Sequence, residues 1–262
     1  MKTLTIIKIG GNIIDQVDKL DDFLEQFSKV PGNKILIHGG GKIATATSEK
    51  LGVVPKMTGG RRITDKASLE VVTMVYAGLI NKNIVAKLQC LDCPAIGLTG
   101  ADANSILARR RPVKTIDFGF VGDLTSDSVN VPILTGLIQQ GLVPVFAAIT
   151  HDGKGQLLNT NADTLAASLA SALSTQYEVT LMYCFEKKGV LQSAEDEEAV
   201  IPLLKPSDLP VLKKKGIISE GMIPKLENAF DALKNGASKV IIGHAGELFK
   251  LGKEAFGTQI IK

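Results

Sequence analysis

The sequence has little excess charge of either sign: 30 Lys and Arg against 27 Asp and Glu leave +3 over 262 residues. With 22% of its residues charged, the chain calls for neither disorder nor a polyanionic partner. Cysteine is scarce as well. Cys90 and Cys93 form one C-x-x-C, but no second pair or histidine cluster completes a metal site. Their place at the end of a helical run, leading into Pro94-Ala95-Ile96-Gly97, predicts two small core residues instead. An odd cysteine count and no secretory signal predict a reducing, cytoplasmic setting. The first apolar stretch is interrupted by Lys8 and is too short for a signal peptide or a membrane span. The one dense basic cluster, Arg109-Arg110-Arg111 beside Pro112, has no interleaved aromatics and reads mainly as a solvated loop, with a basic rim that helps attract an anionic substrate as the secondary reading.

Helical and strand-like patterns alternate throughout, which predicts α/β layers on a largely parallel sheet. Val17, Leu20, Phe23, Leu24 and Phe27 predict one apolar helix face, closed by Pro31-Gly32-Asn33. Asp65 to about Leu91 reads as a long helix broken near Asn81-Lys82-Asn83. Pro94–Leu98 is a compact strand candidate, and Val143–Ile149 is almost continuously apolar, as in a buried parallel strand. Ala108–Val121, with its prolines and glycines, reads as a rim hairpin. Asn161 is a favourable N-cap for a helix with Leu165, Leu169, Ala172 and Leu173 on one face. A new strand at Val179–Met182 opens a shorter segment, with a helix carrying Ile223, Leu226, Phe230 and Leu233. Strands at Val240–Ile242 and Thr258–Ile261 complete it. A boundary is expected near Thr175–Tyr177, and Glu195-Asp196-Glu197-Glu198 reads as a solvated loop beyond it.

Lys8-Ile9-Gly10-Gly11 ends the strand-like Leu4-Thr5-Ile6-Ile7, and His38-Gly39-Gly40-Gly41 ends Ile35-Leu36-Ile37 one β–α unit later. One such turn is ordinarily a tight connection needing positive φ. Two of them, with a lysine beside the first, set bare backbone N–H groups next to a fixed cation. That combination suits phosphoryl oxygens and points to a small-molecule kinase. Gly41-Lys42 lacks the following Ser/Thr and the earlier glycine of a Walker A loop. No G-x-G-x-x-G supports a dinucleotide fold in the first turn. The lipase-like His38–Gly41 run has no G-x-S-x-G nucleophile to serve.

Further along, Gln156-Leu157-Leu158 delivers Asn159-Thr160-Asn161-Ala162-Asp163 to a helix start. Capping accounts for Asn161 and Asp163 but leaves Asn159 unassigned. Lys225, just after Pro224, opens another helix where the dipole disfavours a cation, so function is the better reason for it. Arg62 is a loop guanidinium suited to a bidentate grip on a carboxylate.

Taken in order, Lys8–Gly11, His38–Gly41, Gly60-Arg61-Arg62-Ile63-Thr64, Gly155–Asp163 and Gly216–Lys225 resemble the amino acid kinase family over essentially the whole chain. The resemblance implies a three-layer αβα sandwich with an open, largely parallel sheet and two lobes. Residues 1–175 would bind an N-acylated glutamate and form a homodimer; residues 176–262 would bind ATP. The implied reaction is ATP-dependent phosphorylation of the side-chain carboxylate of N-acetylglutamate, the second step of arginine biosynthesis. N-succinylglutamate or another small amino acid as acceptor, and a non-catalytic ligand sensor, are the rival readings.

The same resemblance assigns roles. Lys8 and Lys225 would neutralise the transferring phosphoryl from opposite lobes, with Asp163 holding both lysines and Gly11 and Gly41 donating backbone N–H groups. Arg62, Asn159 and the Gly40-Gly41 backbone would hold the acid. Gly10, Gly11, Glu186, Gly189, Val190, Leu191, Ile217, Ile218 and Ser219 would meet the nucleotide, and Mg²⁺ would arrive on its phosphates. Glu186 stands where the family usually has Asp, and Lys187-Lys188 replace small or apolar residues. Residues 101–122 diverge where the acyl group is expected. Arginine-inhibited members carry an extra N-terminal helix that joins dimers into a hexamer; with the first strand starting by Leu4, an arginine-insensitive dimer is expected.

Overall fold

The first strand, β1 (Lys2–Ile9), buries Ile6, Ile7 and Ile9 completely, so both of its faces are covered and it can only be an interior strand. The computed structural model describes residues 1–125, 127–193, 196, 198–214, 216–218, 222–251 and 256–261. From β1 the chain runs through α1 (Gly11–Ile14), α2 (Val17–Ser28), β2 (Asn33–His38) and α3 (Gly41–Lys50). A hairpin of β3 (Lys56–Thr58) and β4 (Arg61–Ile63) leads to α4 (Lys66–Thr73), a π-helical turn at Met74–Ile80, and α5 (Asn81–Gln89). Then come β5 (Ala95–Leu98), β6 (Arg109–Arg110), β7 (Val121–Asp123), α6 (Val131–Gln139) and β8 (Val143–Ala147). β9 (Ile149–His151), β10 (Leu157–Thr160) and α7 (Ala162–Leu173) follow. The remainder is β11 (Tyr177–Phe185), β12 (Leu203–Leu204), α8 (Leu209–Lys214), α9 (Ile223–Lys234), β13 (Lys239–His244) and β14 (Thr258–Ile260).

The main sheet has the order β12-β14-β13-β11-β1-β2-β8-β5 and is parallel except where β13 meets β14. Alternate residues of β1 feed two separate cores. Ile7 and Ile9 pack with α2, α4 and α5 on one face; Leu4 and Ile6 pack with α6, α7 and α9 on the other. The result is the expected αβα sandwich. β1, β2, β8 and β5 form one half of this sheet and β11, β13, β14 and β12 the other, and the halves meet at the β1–β11 pair. Because the chain leaves β1 for β2 on one side and returns to β11 on the other, a crevice opens at the carboxyl ends of these three strands.

Several local expectations need correction. Val17 is 66% exposed, since it only begins α2, while Leu20, Phe23, Leu24 and Phe27 form the buried stripe. The helix from Lys66 is not broken at Asn81; it widens into a π turn over the seven residues before it. The apolar run Val143–Ile149 divides at Ala148, where β9 leaves for a second sheet of order β6-β7-β10-β9. Of the C-x-x-C pair only Cys93 is buried; Cys90 is exposed. Glu195 and Glu197 of the acidic stretch lie outside the described residues.

Candidate active site

A cleft of about 800 Å³ occupies that crevice. The ends of β1, β2 and β11 deliver Gly10-Gly11, Gly39-Gly40-Gly41 and Phe185-Glu186 to it. α3, α7 and α9 begin on its wall at Gly41, Ala162 and close to Lys225, so the positive ends of three helix dipoles converge there.

Lys8 points from β1 into the cleft with its Nζ 2.7 Å from Asp163 Oδ1, in the first turn of α7. That turn is set by Asn161, whose side chain accepts a hydrogen bond from Thr164 N–H at 2.9 Å, and by Tyr183, whose hydroxyl donates to the Asp163 carbonyl at 3.1 Å. Burial alone pushes the Asp163 carboxyl up, but Lys8 and Lys225 outweigh it and hold the group below the ordinary carboxylate value. Asp163 is therefore an anion between two lysines, one from β1 and one from the start of α9. Lys225 lines the same cleft.

Around the second glycine turn, Gly40 has φ 147°, and a Cβ there would lie 2.2 Å from Ile80 Cδ1. No L side chain fits that backbone and that contact together. Gly10 differs from the other turn glycines: its N–H is committed to Cys184 O at 2.9 Å. Gly11 and Gly41 open helices, where N–H groups have no intrahelical partner.

Arg62, on β4, is buried. Its Nη2 donates to Gly41 O at 3.1 Å and to Thr45 Oγ1 at 2.7 Å, and Nη1 makes no hydrogen bond among the described residues. Asn159 Nδ2 donates to Thr64 Oγ1 at 3.0 Å beside it. Thus Lys8, Gly10, Gly11, Gly40, Gly41, Arg62, Asn159, Glu186 and Lys225 line one cleft, with Asp163 paired to Lys8 at its wall. At the rim, Asn12 donates to Glu186 Oε1 and Lys42 donates to Asn12 Oδ1, a polar bridge across the β1–β11 seam. Burial raises the nearby Asp15 carboxyl, with Lys42 opposing and Glu186 adding to the rise.

Other residues singled out in the sequence are elsewhere. Val190, Leu191 and Ile218 are buried apolar residues; Val190 and Ile218 join the core beneath α9, and Ile217 packs against it. A Cβ on Gly189 would meet Thr258 Oγ1 and Val200 Cγ1, both at 2.7 Å. None of these five lines the cleft. Ser219 lies outside the described residues.

Sequence reasoning gave the Arg109–Arg111 cluster only a secondary role as a basic rim and did not single out Arg111. Arg109 and Arg110 are not loop but form β6, and Arg111 turns into the cleft as a half-buried residue. Its Nε and Nη2 donate to Asp123 at 2.9 and 2.6 Å, and its guanidinium lies 5.2 Å from the Phe118 ring centre. The aromatics absent from the cluster itself are supplied by the paired segment, since Arg110 also sits 4.8 Å from the Phe120 ring centre. Tyr76, a further unanticipated wall residue, comes from the π turn and stands beside Arg62, with burial raising its hydroxyl pKa.

Acetylglutamate kinase of Phocaeicola vulgatus is 52% identical over 259 residues, covering 99% of this chain and 98% of that protein. The acetylglutamate kinase of Cytophaga hutchinsonii is 53% identical over 264 residues, covering 100% and 99%. Among solved structures, smu.665 from Streptococcus mutans superimposes with a TM-score of 0.77 at 26% identity over 99% of both chains. Carbamate kinase from Giardia lamblia bound to AMP-PNP gives 0.71 at 16% identity over 100% and 99%, which speaks to the fold alone. The sequence profile of the amino acid kinase family matches residues 3–244. With its glycine turns, its lysines and its αβα sheet accounted for by that match, this chain belongs to the amino acid kinase family.

Proposed function

We propose that the protein transfers the γ-phosphoryl group of ATP to the side-chain carboxylate of N-acetylglutamate, the second step of arginine biosynthesis. The observation that carries this reading is the Lys8–Asp163–Lys225 group in a cleft edged by glycine turns. Two acetylglutamate kinases about half identical over almost the whole chain support it. A carboxylate attacking a triphosphate brings two anions together, so the site must supply positive charge and alignment. Lys8 and Lys225 supply the charge, from the two sides of the β1–β11 seam. Asp163 sets their positions and is no base, because the attacking carboxylate is already ionised near neutral pH. Gly11 and Gly41 donate N–H groups to the migrating phosphoryl, and Arg62, Asn159 and Gly40 receive the acid.

In this reading residues 1–175 form the acid-binding lobe and residues 176–262 the ATP-binding lobe, meeting at β1–β11. Glu186 with Asn12 edges the nucleotide side. Gly189, Val190, Leu191, Ile217 and Ile218 shape that lobe from behind. Among the described residues no three His, Cys, Asp or Glu gather to hold a metal ion, so Mg²⁺ fits as a passenger on the nucleotide phosphates. Met74 and Leu79 are 54% and 52% exposed on the apolar helical run Lys66–Gln89, which suits a homodimer through the first lobe. The free thiols of Cys90, Cys93 and Cys184 suit the cytoplasm.

A second reading rests on Arg111. N-acetylglutamate offers Arg62 one carboxylate beyond the reacting one, and Arg111 brings a further guanidinium to the cleft. An acyl group ending in a carboxylate, such as succinyl, would answer it. A hydroxamate-coupled assay with N-acetyl-, N-succinyl- and free glutamate decides: turnover of an acylglutamate supports the kinase, the preferred acyl group selects between the readings, and ADP formation with none overturns both.

A further inference from the structure

Behind the second glycine turn lies a run of polar side chains that do not line the cleft themselves but touch the turn that does. His38, at the end of β2, and Asn81, the first residue after the π turn, are 0% and 1% exposed, and neither lines the cleft. Asn81 Nδ2 lies 3.0 Å from His38 Nε2 and 2.9 Å from Val145 O, while Lys82 Nζ lies 3.2 Å from Asn81 Oδ1. His38 Nδ1 is 2.9 Å from Gly39 O.

These contacts admit one direction. An ammonium only donates and a carbonyl only accepts, so Lys82 and Val145 fix the Asn81 amide with its NH₂ toward His38. His38 Nε2 must then accept, which puts the ring proton on Nδ1, donating to Gly39 O. Burial above all holds the imidazole pKa down to about 4, with the Gly39 bond opposing and Lys82 adding, so the ring is neutral at physiological pH. Drawing the Gly39 carbonyl toward His38 turns the other side of the same planar peptide, the Gly40 N–H, the opposite way. That N–H makes no hydrogen bond among the described residues. From the far side, Ile80 and Tyr76 of the π turn close on Gly40 so tightly that no side chain fits between. One helical segment thus supplies both Asn81, which orients His38, and the wall that confines Gly40.

We propose that His38 and Asn81 are positioning residues: they lock the Gly39–Gly40 peptide so that the Gly40 and Gly41 N–H groups face the reacting anions. This rests on the kinase reading above for what the amides grip, but not for the hydrogen-bond direction. Buried polar pairs with every partner satisfied are suited to such a task, because any other peptide orientation leaves one of them unpaired.

Two measurements on the full chain test it. In a long-range ¹H–¹⁵N spectrum, His38 is expected as the Nδ1–H tautomer; an Nε2–H ring overturns the proposal whether or not any acceptor acid is found. In steady-state assays, His38→Leu is expected to lower kcat by ~10²-fold, the scale of losing a transition-state donor, with KM for ATP changed far less. His38→Asn, whose amide can reach Gly39 O from near the Nδ1 position, should recover part of that loss, and Asn81→Ala should lower kcat in the same direction. A folded His38→Leu enzyme with unchanged kcat overturns the proposal. Wild-type protein inactive toward every acylglutamate overturns the kinase reading instead.

Discussion

Lys8 and Asp163, distant in sequence, hold their charged atoms 2.7 Å apart with side chains only 11% and 13% exposed. Parallel pairing makes the contact possible: β1 and β11 run in register from Lys2 opposite Tyr177 to Ile9 opposite Cys184, and Tyr183 of β11 pins the start of α7. An ion pair this dry loses much of its hydration and is kept only where its geometry is well satisfied. Asp163→Asn preserves the shape but leaves Lys8 and Lys225 repelling each other without a counter-ion. We expect kcat to fall by ~10²-fold or more. Removing one partner of a buried pair costs about 3–5 kcal/mol, and the slight exposure here places the loss at the lower end. Urea unfolding and steady-state assays of the same variant check both.

The acid limb of stability follows from the same carboxyl. Its folded pKa lies below the ordinary value of 3.8 because the two lysines outweigh burial. A group depressed in this way contributes stability that is present above its unfolded pKa and lost as pH falls through the folded one. The difference in unfolding free energy between wild type and Asp163→Asn should therefore be constant near neutrality and shrink below about pH 4. Chemical denaturation as a function of pH measures it; a gap that widens toward acid would contradict the assignment.

Much of this was legible in the chain, and the exceptions share a cause. Strands and helices could be read because periodicity reports which face is buried: Leu20, Phe23, Leu24 and Phe27 needed no structure to be grouped. Asn159 and Lys225 could be picked out because each is a polar group where local structure gives no reason for one, Lys8 because it sits beside a glycine turn, and Arg62 through its fork geometry and the motif around it. Arg111 could not, since its direction depends on β6 pairing with β7, which brings Asp123 and Phe118 alongside. Val190 and Ile218, which the resemblance assigns to the nucleotide, sit in the core beneath α9 rather than on the cleft wall, because burial is decided by the helix that covers them. The π turn, which sets the phase of Tyr76, Ile80 and Asn81, has no sequence signature of its own.

Gly40→Ala tests how tightly the second turn is confined. Its φ of 147° disfavours any L residue, and the new methyl would meet Ile80 Cδ1 at 2.2 Å. Strained backbone costs ~1–3 kcal/mol and overpacking a further ~1–3 kcal/mol, so we expect a total near ~3 kcal/mol and a large fall in kcat. Adding Ile80→Ala to Gly40→Ala should relieve the steric part but not the backbone part. The two changes are then non-additive in stability. Thermal unfolding of the four proteins in the cycle measures this directly; full additivity would mean that Ile80 does not confine the turn.

Arg62 and Arg111 should separate by what they recognise. Arg62 is buried with Nη2 satisfied by Gly41 and Thr45 and Nη1 open, so Arg62→Ala is expected to raise KM for any acylglutamate by ~10–10²-fold while changing kcat less. Arg62→Lys should rescue poorly, because a single ammonium cannot reproduce the fork. Arg111 is already paired with Asp123, which fixes its guanidinium and limits its free charge. If the acyl group is acetyl, Arg111→Ala should leave the ratio of kcat/KM between N-acetyl- and N-succinylglutamate nearly unchanged. If it carries a carboxylate, that ratio should shift by ~10-fold or more toward the acetyl substrate, the worth of a charge-assisted hydrogen bond at a partly buried site. Asp123→Asn then acts oppositely, freeing positive charge at Arg111 and favouring the succinyl substrate. Competition assays with both acids in one tube read the ratio without depending on absolute enzyme activity.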